Sequence, residues 1–138
     1  MSVSFVSGKV FEKCELAKRL KELGAADSDI PTWVCIARYE SEYNSSAIGT
    51  ANADGSKDHG IFQVSDLFWC WTKDEDDPAA CGVPCSDFEN DDIADDFICA
   101  KRIFRATKRR TGNGYSAWVV YSQHCAADAT KDFTKECF

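Results

Sequence analysis

The sequence predicts an α+β fold in which a helical lobe and a small antiparallel sheet face each other across a cleft. Three long stretches carry apolar residues at helical spacing, and a polar stretch between the second and the third alternates like short strands around an Asp-Gly turn. The chain has 138 residues, 44% of them hydrophobic, which is enough for one core. No repeat or change of composition indicates a second domain.

The first two helices are predicted over residues 12–23 and 31–43. In the first, leucines recur on one face and Gly24 supplies a stop. In the second, Pro31 stands in the first turn, where proline is favoured. This second helix would hold Glu40 on a rigid element.

The later elements follow from different patterns. Residues 47–64 predict a small antiparallel sheet with a tight Asp-Gly turn, and Asp58 would lie on this sheet. Residues 91–105 carry an apolar helical face, with Asn90 as the expected cap. A shorter helix is expected to carry Trp118.

Two acids lie in contrasting environments along the chain. Glu40 follows an apolar run, which disfavours a charged carboxyl, whereas hydroxyl, amide and backbone donors surround Asp58. Hydrolysis of an acetal requires one protonated carboxyl for the leaving oxygen and one carboxylate to face the cationic sugar. The pair therefore suggests a glycosidase. The alternatives are a solvent-facing acid for Glu40, like Glu42, and a turn residue for Asp58.

The eight cysteines form an even set in a small chain, which indicates an oxidising compartment and hence secretion. They allow about 105 pairings, and their spacing does not choose among them. A zinc site at Cys81 and Cys85 is a weaker alternative, because no second pair matches it and both histidines are isolated in the sequence. No apolar run is long enough to span a membrane.

Three segments carry a resemblance to a known family: KVFEKCELA from residue 9, WVCIARYES from residue 33 and DHGIFQ from residue 58. Together with the cysteine pattern they resemble the animal c-type lysozymes, and the likeness extends to Cys137. It implies four disulfides, 14–137, 35–125, 70–85 and 81–99. It also implies one domain over residues 9–138, with residues 1–8 as an N-terminal extension or a cloning remnant.

The resemblance implies a retaining hydrolysis of the β-1,4 bond between N-acetylmuramic acid and N-acetylglucosamine in peptidoglycan, with chito-oligosaccharides as further substrates. Glu40 would be the acid and Asp58 the nucleophile or cation stabiliser. The residues that match cleft positions of the family are Asn52, Gln63, Ser65, Phe68, Trp69, Asn113, Ala117 and Trp118. Ser65 stands where Asn is usual, Phe68 where Trp or Tyr is usual, and His59 where Tyr is common. The two tryptophans could equally be core residues.

Residues 85–96 resemble the calcium loop of lactalbumins. The matching ligands would be Asp87, Asn90, Asp92, Asp95 and Asp96. A helix start enriched in acids is the favoured alternative, because the helix dipole stabilises acids there. No metal or organic cofactor is therefore assigned. The alternative function is a non-catalytic, lactalbumin-like calcium-binding or glycan-binding protein, although the presence of both Glu40 and Asp58 favours an enzyme.

The charge of the chain bears on its role. The net charge of -7 departs from the basic antibacterial members of the family and suggests a digestive or acid-compartment role, since an acidic enzyme is repelled by an anionic cell wall unless salt or low pH reduces the repulsion. The basic run at residues 108–110 is expected to be solvated. We expect a secreted monomer without nucleic-acid or membrane partners.

Overall fold

The computed structural model describes residues 8–50, 52–72 and 79–138, and it has the predicted α+β architecture. The predicted extension, residues 1–8, lies outside the described residues except for Gly8. The helices are α1 (Lys13–Glu22), α2 (Ile30–Ser41) and α3 (Ala94–Thr111), and the strands are β1 (Ile48–Gly49), β2 (Asp58–His59), β3 (Val64–Ser65), β4 (Cys70–Trp71) and β5 (Val83–Pro84). Short helical turns cover Cys85–Phe88, Gly114–Ala117, Tyr121–Cys125, Ala127–Thr130 and Lys135–Cys137. No helix within the described ranges combines the length and the apolarity that crossing a membrane requires.

The first two helices lie where the sequence places them, within two residues at each end. Leu16 and Leu20 bury the inner face of α1. Pro31 lies in the first turn of α2, as predicted, and the helix ends where Glu42 takes a left-handed backbone conformation with φ of 52°. The apolar face of α2 is consequently buried along its length up to the turn that carries Glu40.

The small sheet has the predicted antiparallel topology, with β2 in the middle. Its register aligns Gly49 with Asp58 and Asp58 with Ser65. The Asp-Gly turn closes as expected, since the Gly55 N–H donates to the Asn52 carbonyl over 3.1 Å. A second pair, β4 with β5, is parallel and was not predicted.

The third helix differs from the prediction at both ends. It begins at Ala94 because the Asp92 carboxylate accepts the Ala94 N–H over 3.0 Å. Asn90 is therefore not the cap of the helix; its side chain accepts the Asp92 N–H instead. The helix continues to Thr111, six residues beyond the predicted end at residue 105.

The predicted short helix around Trp118 is also displaced. The helical turn ends at Ala117, and Trp118 follows it with an extended backbone. The ring of Trp118 is buried and its Nε1–H donates to the Phe62 carbonyl over 2.9 Å. This hydrogen bond joins the segment after α3 to the segment between β2 and β3.

The core is centred on Trp33 of α2. Its ring lies between 5.2 and 6.0 Å, centroid to centroid, from five other aromatic rings. Four of these contacts are edge-to-face, a geometry that contributes roughly 0.5–1.5 kcal/mol per pair beyond burial. The partners are Phe62, Phe97, Phe104, Tyr115 and Trp118.

Four disulfides join the pairs that the resemblance implies: Cys14–Cys137, Cys35–Cys125, Cys70–Cys85 and Cys81–Cys99. The first two close loops of 123 and 90 residues, and the other two close loops of 15 and 18 residues. Every cysteine is paired, so none is available for the zinc site considered above.

Gly60, directly after β2, allows a close approach between the sheet and the rest of the molecule. Its φ is +82°, and a Cβ there would collide with the Phe88 carbonyl and stand 2.6 Å from the Asp96 carboxylate. Gly55 has nearly the same φ, +84°, with no atom within 4 Å of its Cβ position. Substitutions at the two glycines can therefore be compared to distinguish the cost of backbone strain from the cost of a steric collision.

We expect Gly60→Ala to lower the free energy of unfolding by about 3 kcal/mol or more, because strain and overpacking add. Gly55→Ala should lower it by only about 1 kcal/mol, because only the left-handed backbone is strained. Urea unfolding of the two variants measures the difference. Equal losses would show that the close approach at Gly60 does not constrain the fold.

Candidate active site

Glu40 lies on the last turns of α2, seven residues after Trp33 and hence on the same helical face. Its side chain is half-buried. Burial, and to a smaller extent the charge of Asp58, raises the pKa of Glu40 from 4.5 to about 7. The carboxyl therefore holds its proton under acidic conditions.

Asp58 lies on the central strand of the sheet, at the other side of the cleft. The Asn52 amide donates to its Oδ2 over 3.2 Å, and the same amide lies 3.3 Å from the Ser56 hydroxyl. Asp58 is half-buried, and Ser65 stands opposite it in the strand register. This carboxylate consequently has polar neighbours where Glu40 has apolar ones.

A cleft of about 430 Å³ contains both carboxyls. Most of the residues that the sequence assigns to the site line this cleft, and they come from α2, from the sheet and from the segment after α3. These are Glu40, Asp58, Gln63, Ser65, Phe68, Trp69, Ala117 and Trp118. The structure thus brings together residues that are up to 78 positions apart in the chain, from 40 to 118.

Two assigned residues do not line the cleft. Asn52 contacts it only through its hydrogen bond to Asp58. Asn113 uses its side-chain oxygen to accept the Tyr115 N–H over 3.0 Å, at the start of the helical turn after α3. The Asn113 side chain therefore caps the N-terminus of the helical turn Gly114–Ala117.

The polar residues of the cleft also shape their own loop. The Gln63 amide donates to the carbonyls of Ala47 and Gly60 over 3.1 and 2.9 Å, which fixes the bend between β2 and β3. The Ser65 hydroxyl accepts the Leu67 N–H over 3.1 Å. Both side chains are thus held in place before any ligand binds.

The aromatic residues of the cleft differ in exposure. Phe68 is 63% exposed, Trp69 is half-buried and Trp118 is 5% exposed. An exposed ring at a cleft offers an apolar surface to the face of a pyranose. Trp118 lines the cleft and belongs to the core, so both interpretations of this residue hold.

One charged residue of the cleft, Arg110, was not among the predicted site residues. Its side chain is exposed, as expected for a solvated basic run, and it also lines the cleft. Ile103, Thr107 and Arg110 recur at spacings of four and three on α3, and all three line the cleft. Extending the helical period beyond residue 105 would have predicted this placement.

The acidic segment resembling a calcium loop is only partly free to bind a cation. Asn90 and Asp92 accept backbone N–H groups, and Asp92 also lies 3.6 Å from the Arg19 guanidinium. Burial raises the pKa of Asp95, and the charges of Asp87 and Asp92 add to this shift. The backbone hydrogen bonds that Asn90 and Asp92 accept are those expected of an acid-rich helix start.

Asp96 is the exception within this segment. It is fully buried, and burial raises its pKa well above the usual range. The backbone N–H groups of Asp96 and Ile61 favour its charged form, yet neither forms a hydrogen bond of normal geometry with its oxygens. Among the described residues its carboxylate has no hydrogen-bond partner.

Two carboxyls in different environments, inside a cleft with aromatic walls, are the arrangement of a glycoside hydrolase. The family model of the C-type lysozyme/alpha-lactalbumin family matches residues 9–137, and the chain belongs to that family.

Similar proteins support this assignment. Lysozyme C, milk isozyme, from Canis lupus familiaris is 39% identical, with 94% of this chain and 98% of the relative covered. The crystal structure of a lysozyme from Litopenaeus vannamei superposes with a TM-score of 0.85 at 41% identity, covering 94% and 98% of the two chains. A calcium-binding lysozyme from equine milk superposes with a TM-score of 0.80 at 36% identity, covering 94% and 98%. The chain is accordingly a lysozyme-type glycoside hydrolase.

The raised pKa of Glu40 predicts a pH-dependent stability. The folded state binds the proton more tightly than the unfolded state, so the stabilisation is complete below about pH 4.5 and is lost as the pH rises through about 7. The Glu40→Gln variant has no carboxyl to titrate at this position, so it does not lose this stabilisation as the pH rises. Relative to the native chain, its free energy of unfolding should therefore rise by roughly 2–3 kcal/mol between pH 4 and pH 8.

Urea unfolding at the two pH values measures this change. Glu42→Gln is the matched control, because Glu42 is an exposed glutamate two residues away. A difference between Glu40→Gln and the native chain that does not vary with pH would contradict the raised pKa.

Proposed function

We propose that this lysozyme hydrolyses the β-1,4 bond between N-acetylmuramic acid and N-acetylglucosamine in peptidoglycan, with retention of configuration. Chito-oligosaccharides are secondary substrates. The observation that carries the proposal is the unequal environment of the two acids: burial holds the pKa of Glu40 near 7, while Asp58 accepts a hydrogen bond from Asn52 in the same cleft.

In this proposal each carboxyl has one role in each half of the reaction. Glu40 donates its proton to the glycosidic oxygen as the C–O bond breaks and the first sugar leaves. Asp58 captures or stabilises the resulting cation at the anomeric carbon. Glu40, now a carboxylate, removes a proton from water, and the hydroxide adds to the anomeric carbon on the side the leaving group occupied, which breaks any bond that Asp58 has formed to this carbon. Both carboxyls are then restored.

The remaining cleft residues bind the glycan in this proposal. Phe68 and Trp69 pack against pyranose faces, and Trp118 forms part of the floor. The polar groups of the cleft for sugar hydroxyls and acetamido groups are Gln63, Ser65 and the backbone of Ala117. Asn52 and Asn113, which stand outside the cleft lining, would have to reach the glycan from its edge. Arg110 adds a cation to the cleft of an acidic protein, which suits the carboxylates of peptidoglycan better than uncharged chitin.

We further propose a secreted monomer whose single domain spans residues 9–138, with residues 1–8 as an extension. Neither nucleic acid nor a membrane is a partner in this proposal. The acidic net charge of -7 supports a digestive rather than an immune role.

The first test is lysis of peptidoglycan by the native chain, Glu40→Gln and Glu42→Gln from pH 4 to pH 9, at low and moderate salt. The native chain should lyse, and its rate should fall as the pH rises through about 7, where Glu40 loses its proton. Glu40→Gln should be slower by roughly 10²–10⁴-fold, and the control should be active.

Retention is read separately by NMR from the anomer first released from a chito-oligosaccharide. The muramidase proposal is wrong if the native chain shows no lysis under any condition. It is also wrong in its assignment of the acid if Glu40→Gln remains as active as Glu42→Gln.

We propose a second, structural function for the segment 85–96, namely binding of calcium. The supporting observation is the buried Asp96 carboxylate without a hydrogen-bond partner, since a divalent cation would stabilise its charged form. Asp95, the side chain of Asn90 and the carbonyls of Asp87 and Asp92 would complete the ligands. The equine milk relative is described as calcium-binding, which agrees with this proposal.

Thermal unfolding with calcium or with a chelator tests the second function. Calcium at a hundredfold excess over its dissociation constant should stabilise the native chain by about 2.7 kcal/mol, and Asp96→Asn should abolish this gain. Asp91→Asn, an exposed neighbour outside the ligand set, should retain it. A melting temperature of the native chain that does not depend on calcium would contradict the calcium site and favour the acid-rich helix start.

A further inference from the structure

One carboxylate, that of Asp66, binds both chain neighbours of Asp58. Its Oδ1 accepts the Lys57 backbone N–H over 3.1 Å, and its Oδ2 lies 3.0 Å from Nε2 of His59. The Asp66 N–H in turn donates to the Lys57 carbonyl over 2.9 Å. Asp58 therefore stands between two residues that are fixed by the same side chain.

His59 extends this arrangement to a third segment. Its Nδ1 lies 2.7 Å from the carboxylate of Glu89, which directly follows the helical turn Cys85–Phe88. The His59 side chain is 5% exposed, and those of Asp66 and Glu89 are 15% and 27% exposed. A ring with a carboxylate at each nitrogen donates at both ends when it carries two protons. The network thus links β2 to segments 7 and 30 residues away.

The network lies behind the catalytic strand. Successive side chains of a strand point to opposite faces, so His59 points away from the side to which Asp58 points. In agreement, Asp58 lines the cleft whereas His59, Asp66 and Glu89 do not. These three residues therefore act on the reaction through the residues they hold, and Asp58 lies between the two that Asp66 contacts.

We propose that Asp66, with His59 and Glu89, is a positioning unit that holds the Asp58 carboxylate in place opposite Glu40. The proposal rests on the role given to Asp58 above. β2 has only two residues, so backbone pairing alone fixes its position weakly. Asn52 holds the carboxylate from the cleft side, and the Asp66 network holds the strand from behind.

The physical consequence is a loss of rate without a loss of binding. Without the Asp66 carboxylate, the Lys57 N–H and Nε2 of the buried His59 ring lose their partners, and β2 is held only by the Glu89 contact and by backbone pairing. A displacement of about 1 Å at a reacting group can cost on the order of 10²-fold in rate. The aromatic side chains proposed to pack against the glycan, Phe68 and Trp69, form none of the hydrogen bonds of the Asp66 carboxylate.

The test compares Asp66→Ala with the conservative variant Asp66→Asn. In Asp66→Ala, kcat on soluble peptidoglycan fragments should fall by about 10–100-fold with KM nearly unchanged. Asp66→Asn should restore most of kcat, because its amide oxygen can accept the Lys57 N–H and its amide N–H can donate to a neutral imidazole. If Asp66→Ala does not fold, Glu89→Ala releases the same ring from the other side and should also lower kcat.

Asn44→Ala is the control for a general loss of hydrogen bonds. Asn44 accepts the Ser46 N–H and hydroxyl over 3.0 and 2.8 Å in the loop before β1, with no contact to Asp58. This variant should lose stability while its kcat stays at the native value. An unchanged kcat in Asp66→Ala, or an equal fall in the control, would overturn the positioning role.

Amide hydrogen exchange separates this inference from the proposed function. Exchange at Asp58 and His59 should be faster in Asp66→Ala than in Asn44→Ala, with other strands unaffected. If the native chain cleaves no substrate, the proposed function fails, and exchange alone decides whether the network positions Asp58. Unchanged exchange at these two amides would refute it.

Discussion

The packing around the indole ring of Trp33 is the constraint on which the site depends. This ring contacts Phe62 from the sheet side, Phe97 from α3 and Trp118 from the segment that follows α3. Since it belongs to the same helical face as Glu40, the contacts that build the core also bury the acid. The raised pKa of Glu40 therefore follows mainly from the packing of the core, with a smaller contribution from the charge of Asp58.

The two carboxyls are held by different kinds of force. Glu40 depends on apolar packing, which tolerates exchange between side chains of similar volume. Asp58 accepts a hydrogen bond from Asn52, and the Asp66 carboxylate forms hydrogen bonds with its chain neighbours Lys57 and His59. These are directional, so they define a carboxylate position more narrowly than packing does. The contrast follows from the two lobes, because the sheet has too few residues for a core of its own.

The sequence predicted correctly those helices and turns that are specified by residues close together in the chain. The leucine face of α1, the early proline of α2 and the Asp-Gly turn follow from nearest-neighbour chemistry. The disulfide pairing came only from the resemblance to a family. The predicted start of α3 at residue 91 was wrong because the Asp92 side chain accepts the Ala94 N–H, so the helix begins only at Ala94. The contacts of His59 lie beyond any local pattern, since Glu89 is 30 residues away.

The Cys14–Cys137 disulfide spans nearly the whole described chain, and this has a consequence for survival among proteases. A single cut of the backbone anywhere between the two cysteines leaves both fragments covalently joined. Within residues 71–84, the Cys35–Cys125 and Cys70–Cys85 bridges add a second and a third connection across the cut. A nicked molecule therefore keeps all its parts at high effective concentration, and the carboxyls of α2 and β2 can stay together after damage that would divide an uncrosslinked enzyme.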